Sequence, residues 1–265
     1  MFRLRSAGQT FFLYLNMLPT SHTRSVTRRN HAIIAPDGHI NSNVPGWMNC
    51  TVNVLINEQL GARLCQTLVT LTDTGQLTGC TAASQVFFYV VHGQVQATIG
   101  DDSRLLTTGK FVYVPAGGQE YVFKNPTAGT QVLTFHKVYE PLAGTEQPGV
   151  HWGEKDDSKA PVYMNDEALR IQELLPGGLA FDMAVNIFTY QPGGNLPMVE
   201  THVMEHGLLY LQGSAIYLLD QQWYPVQQGD AIWMAPYCQQ WAASIGKEPS
   251  VYIYYKNVNR FPTVV

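Results

Sequence analysis

Charge is scarce in this chain: Asp, Glu, Lys and Arg make up 14% of its 265 residues, and the formal net charge is −4. Without a basic excess there is no electrostatic footprint for nucleic acid, and no nucleic-acid partner is expected. Cysteine is sparse too. Cys50, Cys65, Cys80 and Cys238 stand far apart with no CxxC pair, so neither a disulfide framework nor a zinc knuckle is signalled. A reducing compartment fits that usage, and a cytoplasmic location is the expectation. No apolar run approaches the roughly 18 residues of a membrane-spanning helix, and no membrane partner is expected. Long segments of helical period are nearly absent, which argues against a helix bundle. What the chain does have is 45% hydrophobic residues, with 23 glycines and 15 prolines. That is enough apolar surface for one large all-β domain or two smaller ones, and its partners are expected to be small molecules.

The first thirty residues have a different character. Arg3, Arg5, Arg24, Arg28 and Arg29 precede the first acidic residue, Asp37, and Phe11 to Leu15 form a short apolar run. No A-x-A cleavage pattern follows. Residues 1–30 therefore read as a loosely ordered arm or as a targeting segment, and the second reading would direct the protein to the endoplasmic reticulum.

Beyond residue 45, short β-like runs are bounded by Gly, Pro, Asn and Asp: Leu64 to Leu71, Val86 to Val91, Phe111 to Val114, Ile187 to Tyr190, Leu208 to Leu211, Ile232 to Met234 and Val251 to Tyr255. Such spacing predicts an antiparallel sandwich or barrel. One helix is expected, over Asn165 to Leu175, inside a linker running from Pro141 to Gly178. Shifting the chain by 120 residues lays Tyr89 to Tyr121 over Leu209 to Trp241 without a gap, matching Gly93 to Gly213, Gly109 to Gly229 and Gln119 to Gln239. One fold unit thus occurs twice. The expected division is an N-terminal barrel over 31–140, the linker over 141–178 and a C-terminal barrel over 179–265.

The second copy carries side chains that the first lacks. Glu200 and His202 are two apart, so on a strand they share a face. His206 follows after a bend, Gly213 marks a hairpin turn, and the run after Gly229 brings Gln240 back beside the first three. Two imidazoles, one carboxylate and one amide oxygen make a metal cage, and the matching residues of the first copy, Cys80, Ala82, Val86 and Glu120, do not. Oxygen donors without a thiolate favour a six-coordinate ion such as Mn²⁺ over tetrahedral zinc. A competing reading takes His202 to His206 as an H-x-x-E-H helix of a zinc protease with Glu205 as base. It requires ten or more helical residues between Pro197 and Gly213.

The glycine and ligand lattice resembles the cupin superfamily in its two-domain form. The first cupin motif, G-x5-HxH-x3,4-E-x6-G, matches Gly194 to Gly213 with Glu and His exchanged. The second, G-x5-P-x-G-x2-H, matches Gly229 to Gln240 with Ala235, Tyr237 and Gln240 at its last three fixed positions. Glu200 to His206, Phe181 to Met183, the run WYPVQQGDAIWMAPYCQQ, the ending YIYYKNVNR and the early segment Pro36 to Trp47 resemble the (S)-ureidoglycine aminohydrolase family. That resemblance implies two tandem cupin (double-stranded β-helix, jelly-roll) barrels. It further implies a Mn²⁺-dependent release of ammonia from (S)-ureidoglycine to give (S)-ureidoglycolate in allantoin breakdown, and ligands Glu200, His202, His206 and Gln240. Tyr217, Tyr252 and Lys256 are implied around the ion. Lys256 would pair with the substrate carboxylate or protonate a leaving amine, and Asp182 and Asn186 would contact substrate. Bicupin dioxygenases or decarboxylases and a non-catalytic metabolite-binding bicupin are the alternatives. Self-association into a homo-oligomer is expected from the sheet edges.

Overall fold

A computed structural model describes residues 23–257, and the expected features at Arg3, Arg5, Phe11 to Leu15 and the last three residues of YIYYKNVNR lie outside it. Short strands β1 (Val26–Thr27), β2 (His31–Ile34) and β3 (Asn41–Ser42) precede the longer β4 (Trp47–Ile56) and β5 (Cys65–Cys80). There follow β6 (Ser84–His92), β7 (Gln94–Ile99), β8 (Asp102–Thr107), β9 (Lys110–Val114), β10 (Glu120–Lys124) and β11 (Thr130–Val138). The middle of the chain forms β12 (His151–Glu154), β13 (Val162–Tyr163), β14 (Asp166–Glu173) and β15 (Met183–Tyr190). Last come β16 (His206–Gln212), β17 (Ser214–Leu219), β18 (Gln222–Gln227), β19 (Ala231–Met234), β20 (Gln240–Ile245) and β21 (Ser250–Asn257). All seven apolar runs singled out above lie within or across these strands, and the protein is all-β.

The repeat is physical. Strands β7/β17, β8/β18, β10/β20 and β11/β21 begin 120 residues apart. The same turn bond recurs as well: Gly109 N–H donates to Val90 O and Gly229 N–H to Tyr210 O, both at 2.9 Å. Strand β10 pairs Glu120 with Cys80, and at the equivalent place Glu200 forms an antiparallel bridge with Gln240. In the first half ten strands form one curled sheet. In the second, the eight-stranded sheet β1-β2-β19-β16-β21-β15-β14-β13 faces a three-stranded sheet β18-β17-β20.

Alternation along the strands sorts side chains between two interiors. On β16, Leu208 and Tyr210 enter a core with Phe188, Tyr190 and Tyr217, while Leu209 turns to a shared core between the halves that includes Phe87, Phe135, Trp233 and Tyr255. A separate aliphatic and aromatic core, with Val69, Phe88, Val112 and Phe123, fills the first half. Period-two alternation forces this division, because neighbouring residues of a strand face opposite sides.

Four expectations fail here. The predicted helix over Asn165 to Leu175 is strand β14, paired from Leu169↔Tyr190 to Glu173↔Asn186 with β15. Met164 (φ 51°) and Asn165 (φ 62°) are the two central residues of the tight β13–β14 turn, so Asn165 closes a hairpin instead of capping a helix. Strand pairing outweighs a weak helical pattern. Residues 141–178 are also more than a connector: β12 pairs with β9 in the first sheet, while β13 and β14 form an edge of the second. Strand β2, inside the expected first barrel, pairs with β19 of the second half, and Arg24 grips the buried Asp230 through two bonds of 2.9 and 2.7 Å.

Gly213 is likewise a corner and not a hairpin, since β16 and β17 belong to different sheets. Its φ is +73°, and a Cβ there would stand 2.4 Å from Pro249 O. Gly213→Ala is expected to cost about 1–3 kcal/mol, because the side chain meets both a left-handed backbone and a carbonyl that cannot retreat. Urea unfolding measures this, and an unchanged midpoint would contradict it.

Candidate metal centre and pocket

A cavity of about 410 Å³ opens between the two sheets of the second half. Glu200, His202, His206 and Gln240 all line it, together with Tyr217, Tyr252 and Lys256. The rim is the segment 196–204, which carries no strand yet is pinned by the backbone. Leu196 N–H donates to Ala242 O (2.9 Å), Glu200 and Gln240 exchange bonds of 2.8 and 2.9 Å, and Tyr237 N–H donates to His202 O (2.7 Å). His206 opens β16 between Met234 of β19 and Lys256 of β21. Directly opposed residues on antiparallel strands share a face, so Lys256 faces the same cavity as His206. The H-x-x-E-H helix is thereby excluded: His206 sits in a sheet, and the buried Glu205 accepts bonds from Arg63 and Trp233.

The two imidazoles are held by their far edges. His202 Nδ1 lies 3.1 Å from Met204 O and His206 Nδ1 lies 3.3 Å from Tyr255 O. A carbonyl only accepts, so each Nδ1 carries the proton. Their Nε2 atoms then meet at 3.1 Å, and the Gln240 amide end lies 2.9 Å from His202 Nε2. Burial, with His202 beside it, lowers the His206 pKa to about 3, so its Nε2 presents a bare lone pair at neutral pH. With both rings neutral, two lone pairs cannot bond each other; a proton or a metal cation between them resolves the contact. The spacing suits one with ligands about 90° apart, since two donors about 2.1 Å from an ion are then about 3.0 Å apart. Among the described residues no three His, Cys, Asp or Glu side chains are gathered into one cluster. Glu200 lines the cavity, but its carboxylate accepts the Tyr163 hydroxyl at 3.3 Å. Two imidazoles, an amide whose oxygen and nitrogen exchange by rotation, and a carboxylate on the adjacent bridge fit a hard divalent ion better than zinc.

Burial raises the phenol pKa values of Tyr217, Tyr252 and Tyr254. Each is a protonated donor at neutral pH, and Tyr252 shares a 3.0 Å bond with Tyr190. Two expected substrate contacts lie elsewhere. Asp182, fully buried just before β15, accepts Lys137 Nζ (2.6 Å), Glu140 N–H (2.7 Å) and the Gln85 amide, so it is spent on a polar network between the halves. A buried carboxylate needs such partners, and Lys137 supplies the charge. Asn186 donates to Tyr254 OH (2.9 Å) and lines a smaller neighbouring cavity of about 170 Å³, which shares only Lys256 with the first. Tyr163 was missed. It reaches Glu200 from 37 positions away, out of a segment read as linker, and no local pattern marks it.

Two histidines make the metal-free protein sensitive to acid. Burial lowers His136, at the position matching Lys256, from 6.5 to about 4, and His206 is lowered to about 3. The unfolded chain binds protons at these sites before the folded one does, so stability is complete above about pH 6.5 and falls as the pH drops towards 4. Urea unfolding of metal-free protein from pH 7.5 to 4 should show the fall, and His136→Phe should flatten part of it. A midpoint constant over that window would contradict both assignments.

No family model matches the chain. Among solved structures, an Escherichia coli protein, Ylba, superposes with a TM-score of 0.81 at 29% identity over 91% of this chain and 97% of that one. A cupin 2 conserved barrel domain protein from Leptotrichia buccalis shares the fold at 12% identity, with a TM-score of 0.60 over 85% of this chain and 96% of that one. The fold is therefore that of the cupins, and the pocket of the second half gives it two histidines, an amide and a carboxylate in one cavity. A probable (S)-ureidoglycine aminohydrolase of Oryza sativa is 34% identical over 95% of this chain and 80% of its own length. The (S)-ureidoglycine aminohydrolase of E. coli K12 is 32% identical over 89% and 91%. This chain belongs to the (S)-ureidoglycine aminohydrolase family, and it is an enzyme of the hydrolase class.

Proposed function

We propose that the chain is a Mn²⁺-dependent hydrolase that releases ammonia from (S)-ureidoglycine to give (S)-ureidoglycolate, with the chemistry confined to the second half. The observation that supports this most is the pair of Nε2 atoms facing each other at 3.1 Å inside a cavity whose wall carries Lys256. His202, His206, Gln240 and Glu200 would hold the ion. Bound there, a divalent ion supplies charge withdrawal from the amine and carboxylate of an α-amino acid.

The remaining work falls to the chain's own groups. Lys256, across the ladder from His206, offers an ammonium to the substrate carboxylate or a proton to the departing amine. Tyr217 and Tyr252, kept protonated by burial, donate hydrogen bonds to the ureido oxygen and fix which face of the carbon meets water. Water gives its oxygen and one hydrogen to the carbon, and the amine leaves with the other hydrogen as ammonia. Leu196, Met198 and Val199 of the segment 196–204 add apolar surface to the cavity lining beside these groups.

The test is incubation of metal-stripped protein with freshly made (S)-ureidoglycine, then addition of Mn²⁺, following ammonia and product chirality. Ammonia release that depends on Mn²⁺ and yields the (S) product is expected. Equal release before and after Mn²⁺ would overturn the metal assignment, and no release in either case the substrate.

A further inference from the structure

Three positions flanking His206, namely Glu205, Gly207 and Leu208, are held by the first half of the molecule. Glu205, one residue before it, faces away from the cavity, as strand alternation requires. Its buried carboxylate accepts the Arg63 backbone N–H at 3.0 and 3.2 Å and the Trp233 indole N–H at 3.3 Å, and its own N–H donates to Asn257 Oδ1 at 2.8 Å. Gly207, one residue after, lies under first-half side chains: a Cβ there would stand 2.8 Å from Gln66 Oε1, 3.0 Å from Ile56 Cδ1 and 3.1 Å from Leu64 Cδ1. Gln66 Nε2 then donates to Leu208 O at 3.1 Å. His206 stands at the start of its strand, where ladders open most easily, yet its neighbours on both sides are fastened across the interface.

The 120-residue repeat supplies a matched comparison. Glu205, Trp233 and Asn257 correspond to Gln85, Tyr113 and Lys137. Tyr113 OH donates to Gln85 Oε1 at 2.8 Å, the Gln85 amide donates to Asp182 of the second half, and Lys137 donates to Asp182 at 2.6 Å. Each half therefore pushes a buried polar side chain from the same strand position into the other half, as the two copies of a symmetric dimer would. The residue after Gln85 is Val86, which has no donor atom; the residue after Glu205 is His206. Only one of the two equivalent contacts stands behind an imidazole of the pocket.

We propose that Glu205 is a positioning residue of the metal centre, through which the half lacking the ligand set fixes His206. This rests on the metal reading given above. The spacing between the two Nε2 atoms tolerates displacement of only a fraction of an ångström, so ion affinity depends on what anchors His206. Tyr163, Glu200 and Gln240 meet within the second half alone, and the first half acts on the site through Glu205 and Gly207.

The experiment compares Glu205→Ala with Gln85→Ala in the full chain, reading the Mn²⁺ dissociation constant by EPR titration of metal-stripped protein and the Tm of the same samples. Both variants should lose thermal stability. The Mn²⁺ Kd should rise about 10–100-fold in Glu205→Ala and stay near the wild-type value in Gln85→Ala. Glu205→Gln keeps an oxygen for Arg63 and should retain most of the affinity. Wild-type affinity in Glu205→Ala, or equal losses in both alanine variants, would overturn the proposal. Should Glu205→Ala fail to fold, Trp233→Phe removes the indole N–H, with some ring volume, while leaving the Glu205 carboxylate and its Arg63 contact in place; a Kd raised about fivefold supports the proposal and an unchanged Kd overturns it. A wild-type protein that takes up no Mn²⁺ would overturn this proposal and the metal reading together, whereas wild-type uptake with an unaffected Glu205→Ala sinks this one alone.

Discussion

His202→Ala is expected to abolish Mn²⁺ retention through gel filtration and to lower ammonia release about 10³-fold or more, a barrier rise of about 4 kcal/mol. His202 Nε2 stands between the other two donors, 3.1 Å from His206 Nε2 and 2.9 Å from the Gln240 amide, so its removal leaves neither neighbour a shared contact. Gln240→Ala should act in the same direction. Far-ultraviolet circular dichroism should remain that of a β protein, because His202 lies on a rim segment outside the strands. Metal content measured on desalted protein separates the possibilities. Full occupancy with full activity in His202→Ala would refute the ligand set.

Lys256→Ala should lower turnover about 10²–10⁴-fold if its Nζ moves a proton, while Mn²⁺ stays bound. Lys256 reaches the cavity from β21, directly across the ladder from His206, and it lines the smaller cavity beside Asn186 too. The division between kcat and KM assigns its role: a fall confined to kcat marks proton transfer, and a rise confined to KM marks pairing with the carboxylate. Loss of the ion in this variant would show that the lysine is structural.

Much of this was legible in the residues because the informative signals are periodic or repeated. Tyr252, Tyr254 and Lys256 share strand parity and all three line the cavity, and Gln240, not its neighbour Gln239, forms the bridge with Glu200 and lines the cavity too. Position 165 failed for a reason local patterns cannot supply: a two-residue turn with positive φ and pairing to β15 decide the strand, and both depend on residues far along the chain. Asp182 failed differently. Nothing near it announces Lys137 or Gln85, so a buried interface carboxylate looked like a pocket carboxylate. Tyr163 escaped notice for the same reason, since its partner Glu200 is a tertiary neighbour.

Comparison within the chain also explains why one half carries the pocket. The positions matching Tyr190, Tyr210, Tyr217 and Tyr252 in the paired strands are Leu71, Val90, Ala97 and Val132. An aliphatic filling suffices to build the fold unit, so the tyrosines of the second half are not demanded by packing. Their hydroxyls cost desolvation unless they serve a polar occupant. Of the four, Tyr217 and Tyr252 line the cavity between the two sheets, and the Tyr190 hydroxyl bonds that of Tyr252.

The most direct test is an anomalous diffraction map from crystals of metal-stripped protein soaked in Mn²⁺. One strong peak is predicted in the second half, bonded to Nε2 of His202 and of His206 and approached by Gln240 and Glu200. A map with no peak there, or with its strongest peak beside Cys80 and Glu120 of the first half, would contradict it.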